Sequence, residues 1–206
     1  VIEAILHGLV LAFGLILPLG AQNVFVFNQG AAQPTIWRAL PVVITAFLCD
    51  MLLILLAVLG VSLVVLTVSW LKMVLYAVGV CFLLYMGYLT WRSRPTADSS
   101  EAQQFSAKRQ VMFAASVSLL NPHAILDTIG VIGTSSLSYT GAEKWGFTIA
   151  CVIVSCLWFF GLAIAGRTAG RLDRSGRLLR YLNIISAIIM WGLALYMASQ
   201  LFFPNS

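Results

Sequence analysis

Six apolar stretches, near residues 4–27, 38–62, 71–91, 111–136, 144–166 and 179–203, take up most of this 206-residue chain. Each is long enough to cross the hydrocarbon core of a bilayer, about 30 Å, which takes roughly 20 residues at helical rise. Hydrophobic residues make up 61% and charged residues 9% of the sequence, and the mean hydropathy is +0.97. Such a chain meets lipid rather than water. Continuous apolar runs exclude a closed β-barrel, whose strands alternate apolar and polar residues, and too little chain remains for a soluble domain. The expected fold is an all-α integral membrane protein with six transmembrane helices. The first stretch has no Lys or Arg ahead of its apolar run and no clear small-x-small cleavage site, so it reads as a retained helix rather than a secretion signal.

Two of the stretches are interrupted where a membrane helix has no reason to be. The first carries Leu17-Pro18-Leu19-Gly20-Ala21-Gln22-Asn23 and the fourth Leu120-Asn121-Pro122-His123, with the prolines 104 positions apart. Broken helices at corresponding places in two halves point to a substrate site at the bilayer midplane. Gly87 and Gly192, 105 apart, and Cys49 and Cys156, 107 apart, extend the correspondence. The expected organisation is a three-helix repeat over 1–91, a polar cytoplasmic linker over 92–110, and a second three-helix repeat over 111–206. Charge supplies the orientation, because short cytoplasmic loops keep the excess of Lys and Arg. Connections after the first, third and fifth spans hold Arg38, Arg92, Arg94, Lys108, Arg109, Arg167, Arg171, Arg174, Arg177 and Arg180, whereas the other side has Lys72 and Lys144. Both termini are therefore expected outside, and the two halves inverted.

Carboxylates inside a membrane are costly, about 2.5–3.5 kcal/mol at helix centre on the most lenient scale. Asp50 lies mid-way along the second span and Asp127 just past the second break. They are expected to bind a cation, a proton, or both in alternation. Asn121 suits an N-cap and Pro122 a first helical position, so a half-helix is expected to start there. Pro18 removes a donor and Gly20 permits irregular backbone, leaving Ala21 to Asn23 as a second set of amides. Amide-rich helix ends beside carboxylates suit a zwitterion, with its carboxylate at a helix N-terminus and its cation near Asp50 or Asp127. His123 could add a titrating group near neutral pH.

These residues resemble the lysine exporter (LysE) family, and within it the arginine-exporting branch. The resemblance rests on Leu17 to Asn23 with Asn28-Gln29-Gly30 after it, Cys49-Asp50, Leu120 to His123 leading to Leu126-Asp127-Thr128, and Leu157-Trp158-Phe159-Phe160-Gly161. Ala21 departs from the family's usual proline. The resemblance implies a secondary transporter that exports amino acids, most often lysine or arginine, across the plasma membrane, the inner membrane in bacteria. Pro18, Gly20, Gln22, Asn23, Asp50, Asn121, Pro122 and Asp127 would line its translocation site. Sister branches export homoserine, threonine or other neutral amino acids such as leucine, and related proteins handle metal cations.

Other classes fit less well. An intramembrane thiol electron carrier would need thiolates near each other, but Cys49, Cys81, Cys151 and Cys156 sit in apolar spans without a Cys-x-x-Cys pair. No hydrolase or phosphate-binding motif is present, so no enzyme, cofactor or resident metal is expected. The net charge of +5 belongs to topology and lipid headgroups rather than nucleic acid. Trp37, Trp70, Trp91 and Trp145 are expected as interface anchors. The small pair Gly161 and Ala165 could pack helices within a protomer or across a homodimer.

Overall fold

A computed structural model describes residues 1–17, 20–61, 69–92, 105–119, 121–172 and 177–202, and every regular element among them is helical. The order is α1 (Ile2–Ile16), α2 (Ala21–Ala32), α3 (Ile36–Leu56), α4 (Ser69–Arg92), α5 (Ala107–Leu119), α6 (Pro122–Asp127), α7 (Gly141–Leu172) and α8 (Arg177–Phe202). Wider i→i+5 turns follow α3 at Ala57–Val61 and α6 at Thr128–Gly133, and they pack on each other. The first ends at Gly60, whose φ of 100° a side chain would strain. Pro18 lies outside the described residues.

Among the described residues two helical runs, Ile36–Gly60 and Gly141–Leu172, are long and apolar enough to cross a membrane. A third joins them if α1 and α2, which meet at 79°, count as one span. The helices are apolar outside, and a set of polar side chains is turned inward among an apolar core. Val10, Leu59, Leu157 and Leu195 are exposed, whereas Gln22, Asn23, Gln29, Gln33, Gln110, Asn121 and Asn183 are buried. Lipid imposes this inversion, because it offers polar groups no partner and accepts apolar ones. Trp37, Trp70 and Trp145 are exposed, and Trp91 stacks near Trp191 with ring centroids 5.5 Å apart.

Buried amides repair the helices where their ladders open. Pro41 lies inside α3 and cannot donate to the preceding turn. One residue on, Val42 N–H donates to Gln110 Oε1 at 3.3 Å, while Gln110 Nε2 donates to the Arg38 carbonyl at 2.9 Å. An unbroken helix would pair those two backbone groups with each other. Here one side chain from α5 bonds to both of them.

The long helix α7 packs against α1, α2 and α3. Its approach to α2 depends on glycine. A methyl group on Gly166 would run into the Phe27 carbonyl, one on Gly30 into the Ala163 carbonyl, and one on Gly170 would lie 2.7 Å from the Ala31 carbonyl. Within the protomer the small-residue seam is therefore Gly166 and Gly170; Gly161 and Ala165 are exposed, and a Cβ on Gly161 would meet nothing within 4 Å. Period alone could not choose between two such pairs five residues apart. Arg167, beside the seam, donates to the carbonyls of Gln33 at 3.1 Å and Pro34 at 2.9 Å, just past the end of α2. Gly166→Val should therefore destabilise the protein by about 3 kcal/mol or more, because only backbone could yield. Gly161→Val should change little. Thermal unfolding of both variants in detergent checks the contrast.

Candidate functional site

The break between α1 and α2 is held open by a side chain. Asn23, on the first turn of α2, donates from Nδ2 to the Ile16 carbonyl at 2.8 Å and so satisfies the end of α1. Its Oδ1 accepts from Trp158 Nε1 on α7 at 3.3 Å. The neighbouring Gln22 donates to the Ala46 carbonyl of α3 at 3.4 Å. Gly20 is the N-cap of α2 in extended conformation, and no side chain caps the helix there. By helix geometry the first-turn amides have no partners within α2 itself.

These residues border a cavity of about 110 Å³. One water needs roughly 10–15 Å³ on this scale, so several fit. Its polar wall is Gln22 and Asn23 of α2, Asp50 of α3, Asn121 and Asp127 at the two ends of α6, Thr128, and Ser155 of α7. Asp50 Oδ2 accepts a 2.7 Å hydrogen bond from Ser155 Oγ. Asp50 and Asp127 are both half-buried, whereas Ser155 and Asn121 are buried. The rest of the wall is mainly apolar and comes largely from two packed clusters, with Phe159 from a third. Ile54, Cys151 and Val154 belong to one that also contains Ala4, Val58 and Phe147. Leu83 and Met190 belong to the other, with Ala21, Val24, Met86 and Val117.

Of the residues singled out from the sequence, Gly20, Gln22, Asn23, Asp50, Asn121 and Asp127 thus surround one cavity. Pro122 begins α6 and His123 follows it; their side chains lie outside the described set, as does Pro18. Three further residues belong to the site, of which Trp158 and Thr128 lie in motifs that carry the resemblance but have no expected role there. Ser155 and Trp158 are the hydrogen-bond partners of Asp50 and Asn23, and Thr128 lines the cavity. A signal for Ser155 was present, since it falls 105 positions after Asp50, at the spacing of the two breaks. Chemically, the site combines two carboxylates, several neutral donors and acceptors, and the start of α2 within apolar walls. It can hold a small polar ion that both accepts and donates hydrogen bonds.

Residues 13–201 match the profile of the LysE type translocator family. The chain belongs to that family. It is a LysE membrane transporter and not an enzyme. A protein of Bacillus subtilis (strain 168) named "Putative amino-acid transporter YisU" is 59% identical over 200 residues, covering 97% of this chain and 91% of that protein. The "Arginine exporter protein ArgO" of Escherichia coli (strain K12) is 34% identical over 199 residues, or 93% of this chain and 92% of its own. Its namesake from Klebsiella pneumoniae (strain 342) is 33% identical over 198 residues, or 94% and 92%. No solved structure matches the chain significantly.

The LysE site depends on Asn23 bridging a helix end and an indole. Asn23→Leu should cost about 1–3 kcal/mol of stability, because a buried carbonyl and an indole N–H lose their partner together. Trp158→Phe, which removes one bond, should cost less. Unfolding midpoints of the purified variants decide the order.

Proposed function

We propose that this LysE transporter exports basic amino acids, arginine or lysine, in exchange for protons. The observation that carries the reading is the convergence of Asp50 and Asp127 with Gln22, Asn23, Asn121 and Ser155 on a single cavity. Two acids, with no lysine or arginine among the described residues of the same wall, favour a cationic cargo over an anionic one. The substrate carboxylate would lie at the start of α2, where helix amides and dipole favour negative charge. Its ammonium or guanidinium would lie at Asp50 or Asp127. The 33–34% identity to arginine exporters supports the same class.

Alternating access would come from an inverted repeat, 1–91 against 111–206, joined by the 92–110 linker. Several features support it. Helices start in matching register: α1 at 2 and α5 at 107, α3 at 36 and α7 at 141, α4 at 69 and α8 at 177. Partners are exchanged as a two-fold axis requires, since α1 packs on α7 and α5 on α3. Equivalent residues can touch only on such an axis. Asp50 and Ser155, 105 apart, are hydrogen-bonded, and Gly87 lies against Trp191, next in sequence to its equivalent Gly192. The apolar clusters on either side of the cavity would then serve as alternating seals. The Lys and Arg bias supports an orientation with both termini outside, in the bacterial inner membrane.

Proton exchange follows from electrostatics. Exporting a monocation against an inside-negative potential costs about 2.3 kcal/mol per 100 mV. One incoming proton cancels that charge, so a shared aspartate would hold the substrate when ionised and a proton after release.

In proteoliposomes, efflux of labelled arginine should accelerate when the receiving side is acidified and should respond little to voltage. Asp50→Asn and Asp127→Asn should each lower it at least tenfold; unchanged rates in both would remove the reading. Counterflow against lysine, threonine, leucine and a divalent cation ranks the substrates. Ser155→Ala, which removes a charge-assisted bond of about 1.5–3 kcal/mol, should weaken arginine binding about tenfold, with Ser155→Thr closer to the parent protein.

A further inference from the structure

A second cavity, of about 290 Å³, opens between α2, α4 and α5, and it shares no wall residue with the first. Phe25, Phe105 and Phe113 line it with Asn28, Gln29 and Thr90. The three rings form a closed set. Centroids of Phe25 and Phe113 lie 4.3 Å apart, those of Phe25 and Phe105 5.6 Å, and those of Phe105 and Phe113 5.8 Å, edge to face.

Phe105 is fixed in this set by an unusual amount of buried polar structure. Its N–H donates to Gln29 Oε1 at 3.3 Å, and its carbonyl accepts from Gln33 Nε2 at 2.9 Å and Gln110 Nε2 at 2.8 Å. All three glutamines are buried. Satisfied networks of this kind rigidify what they hold, and here they hold one aromatic residue of a connecting segment against a cavity.

The chemistry of the cavity selects its ligand. Ring faces carry negative potential and attract ammonium or guanidinium groups, by about 0.5–2 kcal/mol. Phe105 already takes such a group: the exposed Arg109 guanidinium carbon lies 4.7 Å from its centroid. Asn28 donates from Nδ2 to Asn183 Oδ1 at 2.9 Å, which leaves its own carbonyl oxygen as an acceptor. Among the described residues no carboxylate lines the space. Binding would be weak, as a place of passage requires.

Location supplies the rest. Ala21, Val24 and Met86 of this cavity wall pack in one apolar cluster with Leu83 and Met190 of the central wall. A single apolar layer therefore separates the two spaces. The second lies toward the end of α4, which closes with Arg92, and the start of α5, which carries Lys108 and Arg109, the side assigned to the cytoplasm.

We propose that this cavity is a loading site, in which the guanidinium or ammonium end of a basic amino acid rests against the Phe25–Phe105–Phe113 rings before it enters the central cavity. Arg109 at the mouth would meet the substrate carboxylate. The inference rests on the proposed export of basic amino acids.

Alkylation of single cysteines tests it, in a transport-competent background with Cys49, Cys81, Cys151 and Cys156 replaced by alanine. Thr90→Cys reports the second cavity and Ala124→Cys the central one. In inside-out vesicles of the Asp50→Asn variant, arginine should slow alkylation of Thr90→Cys at least fivefold by an impermeant maleimide, and leucine should not. Phe105→Leu, close in volume, should abolish the protection, and Phe105→Tyr should keep it. Equal alkylation with and without arginine, or equal protection by leucine, overturns the loading site. If Ala124→Cys is nevertheless protected by arginine when Asp50 is intact, the central-site reading stands; if it is not, that reading fails as well.

Discussion

Lipid offers no hydrogen bonds, and most of the structure follows from that constraint. Each opening in a helix must be closed by a side chain brought from elsewhere, and here most are amides. Gln110 bridges the backbone of α3 beside Pro41, Asn23 closes the end of α1, and Gln29 and Gln33 hold Phe105. In water a loosened turn could be solvated at little cost. In this transporter the openings are possible only because the bundle carries its polar groups inside, and that same inward polarity makes the cavities.

Close packing sets where those polar groups meet. The glycine seam between α2 and α7 brings the broken first span against the longest helix. As a result Trp158 reaches Asn23, and Ser155 on the same helix, three residues away, reaches Asp50. A bulky side chain in the seam would push α7 outward and would separate Asn23 from its indole partner and the cavity from one wall. Helix approach and site chemistry are in this sense one feature, seen at backbone and at side-chain level.

The helices were largely legible, because membrane thickness imposes a length that hydropathy reports. The apolar run 38–62 corresponds to α3 with its wide turn, and 144–166 lies within α7. Observed helices extend past the apolar runs, since turns with polar residues, such as Arg167 to Leu172, continue the helix. Asp50 and Asp127 stood out by their cost. Ser155, Thr128 and Gln110 did not, because a serine or glutamine in a membrane helix has many uses and only the partner helix reveals which applies. Gly166 was missed for a related reason: small residues mark a close approach, but several small pairs compete on α7 and three dimensions decide between them.

The central cavity also brings together residues that share the spacing of the proposed repeat. At the common spacing Asp50 stands opposite Ser155, Gln22 opposite Asp127, and Asn23 opposite Thr128. Under the proposed two-fold, two of these pairs combine a carboxylate with a neutral hydrogen-bonding group. Four carboxylates would repel one another or demand a divalent ion, and none would leave a cation unbound. On the proposed reading, one acid in each of two pairs would give a site with charge for one basic side chain and an acid in reserve for a proton. The scaffold would then remain close to symmetric, as the proposed alternating access requires, while the substrate meets an environment with a definite direction.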